Sequence, residues 1–361
     1  MKSLKNALGK LNANTKNNFI TFAIVIGAYI IMQILVGAGA VSSLIKGQLV
    51  PICVYATMAV SLNLCVGILG ELSLGHAGFM GVGAFTGAVA IAVLERYISS
   101  PILLLILGMV IGAVFAAIAG VIIGVPVLKL NGDYLAIVTL AFGEILKSLL
   151  TNVYVALDGA GLHFSFLERI SAADDGKMII NGPIGLTGLK PIATFTMAVV
   201  LLVITLIIVF NLVNSKTGRA VMALRDNQIA AESVGISIPK FKLMAFVISA
   251  AIAGAAGTMF AENYSTMLAS KFDFNTSILI LVFVVLGGLG SMRGSVIAAV
   301  VLTLLPELLR SVRDYRMLFY AIILITVMIV KNNENIQLKM AGWKEALKAK
   351  MQKNKEVKEE I

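Results

Sequence analysis

Charge is the scarcest commodity in this chain. Only 13% of its 361 residues are Asp, Glu, Lys or Arg, about half the share of roughly 25% found in soluble domains. Cysteine and histidine are nearly absent, with two of each. Cys53 and Cys65 lie twelve positions apart in one apolar run. On a helix that spacing puts them about 18 Å apart along the axis, out of disulfide reach. Both read as packing residues. With His76 and His163 as the only histidines, the pattern offers no His/Cys metal cluster. The sequence also lacks a G-x-x-x-x-G-K-[ST] phosphate loop, an H-E-x-x-H pair, a nucleophile elbow and paired catalytic carboxylates. By these absences the chain is not expected to be an enzyme, to bind a cofactor or to hold ATP by itself.

Apolar sequence fills the space that charge leaves. Hydrophobic residues make up 59% of the chain and its mean hydropathy is +0.95. No soluble core of this size can hide so much, because a water-facing surface needs polar side chains. The apolar residues come in runs of about 20, the length a helix needs to cross a hydrocarbon layer roughly 30 Å thick. Strand-like alternation over segments of about ten residues is missing, which argues against a membrane barrel. The fold class expected is therefore an all-α polytopic membrane protein, since helices satisfy their own backbone in lipid.

Spans can be read at 19–41, 48–69, 73–94, 101–124, 131–150, 191–213, 242–262, 276–291, 295–309 and 316–330. About ten transmembrane helices put both termini on one side. The first run follows a basic stretch and precedes Ala38-Gly39-Ala40, which imitates a signal peptide. At 23 residues it exceeds a signal core of about 7–15 and reads as an uncleaved anchor. Residues 1–18 carry Lys2, Lys5, Lys10 and Lys16 without an acid, and the tail 331–361 holds eight Lys against five Glu. Basic charge flanking apolar runs points to topology rather than to nucleic acid, and puts both ends in the cytoplasm. Arg310, Arg313 and Arg316 run against that count.

Three domains of organisation follow: a cytoplasmic segment 1–18, a transmembrane domain 19–330 and a basic amphipathic tail 331–361. In the tail, Ile336, Met340, Trp343 and Leu347 form one helical stripe, suited to a membrane surface. Two connections are long. Residues 151–190, with Asp158, Glu168, Asp174 and Asp175, form an expected external lobe. Residues 214–241 form an expected cytoplasmic loop with helical character.

Several motifs carry polar chemistry inside apolar sequence. Around the second joint, Glu71, Ser73 and His76 sit among six glycines from Gly67 to Gly83. A charge at membrane depth costs about 2.5–3.5 kcal/mol on insertion scales and usually faces protein or a wet cavity. The joint is either a helix break beside a substrate path or a tight interfacial turn followed by small-residue packing at Gly81 and Gly83. The fifth span contains Asp133, Thr139, Glu144 and Lys147. Glu144 and Lys147, three apart, share a helical face and can pair; the other reading has Glu144 line a path. In the 214–241 loop, Ala220, Ala223, Leu224 and Ala231 share one arc, opposite Arg225, Gln228 and Glu232. Gly235 and Pro239 supply stop signals. A short helix with a small-residue face suits docking in a partner's groove or lying on the membrane surface. Leu286-Gly287-Gly288-Leu289-Gly290-Ser291 reads as loose turn chemistry.

Taken in order, Gly70–Phe79, Gly132–Glu144, Gly218-Arg219-Ala220 through Gly235-Ile236, Lys242–Gly257 and Val285–Ser291 resemble the permease subunits of branched-chain amino-acid ABC importers. Gly132-Asp133-Tyr134 and Arg225-Asp226-Asn227 are similar to the second, M-type permease of the pair. The resemblance implies a type II ABC importer-like fold, akin to the cobalamin and ribose importer permeases. It implies a heterodimer with a paralogous permease, two cytoplasmic ATPases that hydrolyse ATP, and an external substrate-binding protein. As polar residues inside apolar sequence, Glu71, Ser73, His76, Asp133, Thr139 and Glu144 are the candidates for lining a substrate path. The ATPases would couple through Arg219, Ala223, Arg225, Asp226, Asn227, Glu232 and Gly235. The chain departs from the family at Met292-Arg293-Gly294-Ser295, where Trp-Gly-Pro is common, at Asn181-Gly182-Pro183-Ile184-Gly185, and in its longer tail. A urea or short-amide permease and an ion-coupled secondary transporter are the alternatives to Leu/Ile/Val import.

Overall fold

The structure is a computed structural model that describes residues 13–128, 133–158, 161–166 and 176–308, with isolated residues between 315 and 329. It separates into two compact units, Met1–Val301 and Leu302–Ile361. Seven helices of the described residues are long and apolar enough to cross a membrane. In chain order the helices are α1 (Ala13–Gly37), α2 (Ser43–Asn63), α3 (His76–Leu94), α4 (Pro101–Val127), α5 (Asp133–Asn152), α6 (Phe195–Asn214), α7 (Lys216–Asp226), α8 (Gln228–Ser233), α9 (Ile238–Ala261), α10 (Phe274–Gly287) and α11 (Met292–Leu308). The ten expected spans are thus not all met. The stretch expected at 276–291 is a 14-residue helix, about 21 Å long and too short to cross alone. Most of 316–330, the tail 331–361 and residues 1–12 lie outside the described residues.

α2 is the central element of the larger unit. It continues as a π-helical turn, Leu64–Leu69, and 89% of its most apolar window is buried in protein. By contrast α1 buries 11% of its window and touches α6 through Phe22–Phe210 and Tyr29–Phe195. Ile30, Ile31 and Ile34 stand at least half exposed, as expected of a lipid-facing helix.

Lipid tails are as apolar as leucine, so membrane helices associate through close packing and interhelical hydrogen bonds. α3, α4 and α9 meet in that way. A side chain on Gly83 would strike the Gly254 carbonyl at 2.1 Å, and one on Gly257 would strike the Met80 carbonyl at 1.9 Å. The Thr258 hydroxyl donates to Gly83 O at 2.8 Å across the seam. Gly83 was readable as a small packing residue; its partners on α9 were not.

The 151–190 lobe departs from a purely helical plan. Its described parts form a three-stranded antiparallel sheet, β1 (Val153–Asp158), β2 (Gly161–Phe166) and β3 (Lys177–Asn181), in the order β2-β1-β3. The buried Val153, Val155, Ala156, Leu157, Ile179 and Ile180 anchor it. The glycines and acids by which the segment reads as a lobe hide two short strand-forming runs, Val153–Asp158 and Lys177–Asn181.

Candidate functional site

The chain ties its polar residues together at one end of the larger unit, around residues 63–76. α2 ends there because Gly70 takes a left-handed conformation (φ +83°) and the N–H groups of Gly70 and Glu71 both return to Cys65 O, a helix-closing pattern. Residues 70–75 then run without regular structure to the start of α3. A side chain on Gly75 would lie 2.0 Å from Thr139 O, so α5 approaches that backbone directly. The helix is interrupted here, as both readings of this joint require.

Each candidate of the substrate-path group has a definite setting. Glu71 forms an ion pair with Lys242 of α9, and both side chains are largely buried. Ser73 is 1% exposed and its hydroxyl has no hydrogen-bond partner. His76 opens α3, with Nε2 3.0 Å from Ser61 Oγ. Ser61 spends its proton on Ser249 O at 2.7 Å, and Ser249 Oγ returns a bond to Ser61 O at 2.6 Å. Thr139 Oγ1 accepts from Leu74 N–H at 3.0 Å and donates to Ala136 O at 3.0 Å, tying α5 to the break. Glu144 pairs with Lys147 and also accepts from Phe274 N–H at 3.2 Å, at the start of α10. A carboxylate at a helix N-terminus is favoured by the partial positive charge there. Asp133 begins α5, and its side chain lies outside the described residues.

Ser73, His76 and Thr139 thus gather at the break. Glu71 turns toward Lys242, and Glu144 toward α10.

The second group lies on α7, α8 and the turns beside them. Ser215 caps α7 and Asn227 caps α8, through bonds to Gly218 N–H at 3.1 Å and Ala230 N–H at 3.0 Å. α7 buries Gly218, Val221 and Leu224. Arg219 donates to Asn214 O at 3.1 Å. Arg225 holds Asp226 at 2.9 Å and reaches across to Gly67 O, also at 2.9 Å. Gln228 stands 3.4 Å from Lys242 Nζ. The small arc is not a free face: Ala231 is 4% exposed and Ala223 half-buried. Glu232 and Gly235 are exposed, and so are two apolar residues between and beside them, Ile229 (83%) and Val234 (76%). The helical wheel missed those two because it assumed one straight helix, whereas Asn227 breaks the segment into α7 and α8.

Lys242, Asn63, Ser61 and Ser249 were passed over as members of this site. The signal for Lys242 was a cation near the start of an apolar run with no acid nearby in sequence.

Residues 44–328 match the family described as branched-chain amino acid transport system / permease component. The chain belongs to that family. Among its relatives, the high-affinity branched-chain amino acid transport system permease protein LivM of Escherichia coli is 37% identical over 298 residues. LivM of Salmonella typhimurium is 35% identical over 292. Both alignments cover 76% of this chain and 66% of the relative, just under two thirds of the relative's length. No solved structure matches the chain. Family membership and the apolar helices make it a multi-pass membrane protein of the permease type.

Proposed function

We propose that this chain is a permease subunit of an ATP-driven ABC importer that moves leucine, isoleucine and valine delivered by an external binding protein. It works in the inner membrane beside a paralogous permease and above two cytoplasmic ATPases. The observation that carries the reading is the capped α7–α8 segment, fastened to the helix break by Arg225 on Gly67 O. Helix connections usually run about 2–8 residues, and this one is structured and rigidly tied. A displacement imposed on it by an ATPase would reach the core of the membrane domain. ATP is bound and hydrolysed by the partners, and this chain supplies no cofactor site of its own.

Ile229 and Val234, both exposed, are the apolar points that an ATPase surface would cover. With α7–α8 on the cytoplasmic side, α1 starts on that side too, and the basic charge near both ends of the chain favours cytoplasmic termini. Glu71, Ser73, His76, Thr139 and Glu144 flank the break that opens or closes the path. Asp133, at the start of α5, belongs to the same group of path candidates.

The test is uptake by the full complex, with its binding protein, in proteoliposomes. Leucine, isoleucine or valine should accumulate only with ATP, and Ile229→Asp should uncouple ATP hydrolysis from transport without lowering permease yield. Urea or a short amide accumulating in their place would give the substrate to the other branch of the family. Uptake driven by an ion gradient without ATPases would overturn the importer reading.

A further inference from the structure

The π-helical turn Leu64–Leu69 lies between two features that the sequence does not link: the α7–α8 segment and the glycine joint between α10 and α11. A π-turn is a local defect in helical bonding, frequent where a helix must change shape. Arg225 holds it from one side through Gly67 O at 2.9 Å. On the other side, a side chain on Gly67 would meet Gly290 N at 2.2 Å, so the two backbones are in direct contact.

Asn63, at the end of α2, closes that contact. It is fully buried, where an amide needs partners for both its oxygen and its nitrogen. Oδ1 accepts from Gly290 N–H at 2.8 Å, and Nδ2 donates to Ser295 Oγ at 2.8 Å. Both partners belong to the joint, one before α11 and one in its first turn. Ser295 in turn donates to Ser291 O at 3.3 Å. The joint itself is packed backbone on backbone, since a side chain on Gly294 would lie 1.8 Å from Gly287 O. One buried amide therefore fixes the π-turn to the place where α10 and α11 cross.

We infer that Asn63 is a positioning residue that makes the π-turn and the 287–294 joint move as one body, so that displacement of α7 through Arg225 reaches α10 and α11. This rests on the reading of the 214–241 segment as the place where an ATPase acts. A second tie, Lys242 with Glu71 and Gln228, leads to α9 and leaves this route independent.

The experiment uses the complete importer in nanodiscs, with and without a non-hydrolysable ATP analogue. Amide hydrogen exchange is followed in peptides covering 64–75 and 286–296, together with ATP hydrolysed per leucine imported. In the unaltered complex, nucleotide should change exchange in both segments. In Asn63→Leu, which keeps the volume and removes both bonds, the change should persist at 64–75 and vanish at 286–296. ATP consumed per leucine should then rise severalfold, and Ser295→Ala, losing one bond, should fall between. Should Asn63→Leu not assemble, Ser295→Ala carries the test alone. A wild-type-like response at 286–296 in the variants overturns the relay and leaves the coupling reading standing. An unaltered complex that responds in neither segment overturns both.

Discussion

The two ends of the larger unit treat charge in opposite ways. At the end that carries α7 and α8 the largely buried Glu71 and Lys242 are paired, and the more exposed Arg225 is held by Gly67 O and Asp226. At the end that carries the sheet, Glu262 is 1% exposed and one of its carboxylate oxygens has no hydrogen bond. It faces a cleft of about 30 Å³ shared with Glu95, Lys177 and Lys190, room for one or two waters. Burial, reinforced by Glu95, pushes the Glu262 carboxyl up to about 8, and Lys177 opposes the shift. Lys190 is already paired with Glu95. Partnered charges in low dielectric act as fixed ties, because separating them leaves each uncompensated. An unfilled carboxyl in the same setting responds to protons instead. One end holds its buried charges in a pair, and the other leaves a carboxyl open to protonation.

The strongest way to break that contrast is to orphan a tie. Lys242→Met leaves Glu71 buried without its cation, a loss of about 3–5 kcal/mol. Thermal unfolding of the purified permease should show a large drop, and Lys242→Met with Glu71→Leu should recover most of it. A single variant as stable as the parent would mean the pair is not a tie.

Next comes the seam that both ends share. Gly257→Ala puts a methyl group against the Met80 carbonyl, and forcing backbones apart costs roughly 1–3 kcal/mol. Melting temperature and complex yield should both fall, while Gly27→Ala on α1, with open space at its Cβ, should change neither.

The pH profile sharpens the other side. A carboxyl whose folded value lies near 8, above its ordinary 4.5, binds protons more tightly in the folded state. Stability from this group is complete below about pH 4.5, falls as pH rises, and is lost above about 8. Melting temperature measured from pH 5 to 9 should decline, and Glu262→Gln should flatten the decline. An equally steep slope in that variant would remove Glu262 as its source.

The smallest effect is expected at Ser73, whose buried hydroxyl is unpaired. Removing an unsatisfied polar group is close to neutral, so Ser73→Ala should melt within about 0.5 kcal/mol of the parent. Ser73→Leu should still stop uptake by filling the break while the complex assembles. Normal transport in that variant would make residues 70–75 a packing turn.

How far these features could be read in advance differed by kind. The cost of Glu71 in apolar sequence was plain from composition, but its partner lies 171 positions away and no local pattern points to it. Glu144 with Lys147 was readable because three-residue spacing on a helix fixes who meets whom. The third participant, Phe274 N–H, lies 130 positions from Glu144, and no local pattern points to it. The small arc of α7 and α8 was drawn correctly as a pattern and yet does not describe the free face, because Asn227 breaks the helix and turns Ala231 inward.

The sequence by itself determined what depends on neighbours along the chain. Apolar runs near the span length dictated membrane helices, and the glycines from Gly67 to Gly83 dictated an interruption between two of them. Only the tertiary structure decided what depends on distant backbones meeting: Asn63 against Gly290, Lys242 against Glu71, Gly83 against Gly254. The physical reason is that lipid gives apolar helices no preferred partner. Their association is set by which small residues let backbones touch and which buried polar groups then find each other. Both are properties of pairs, and a single sequence lists only the members.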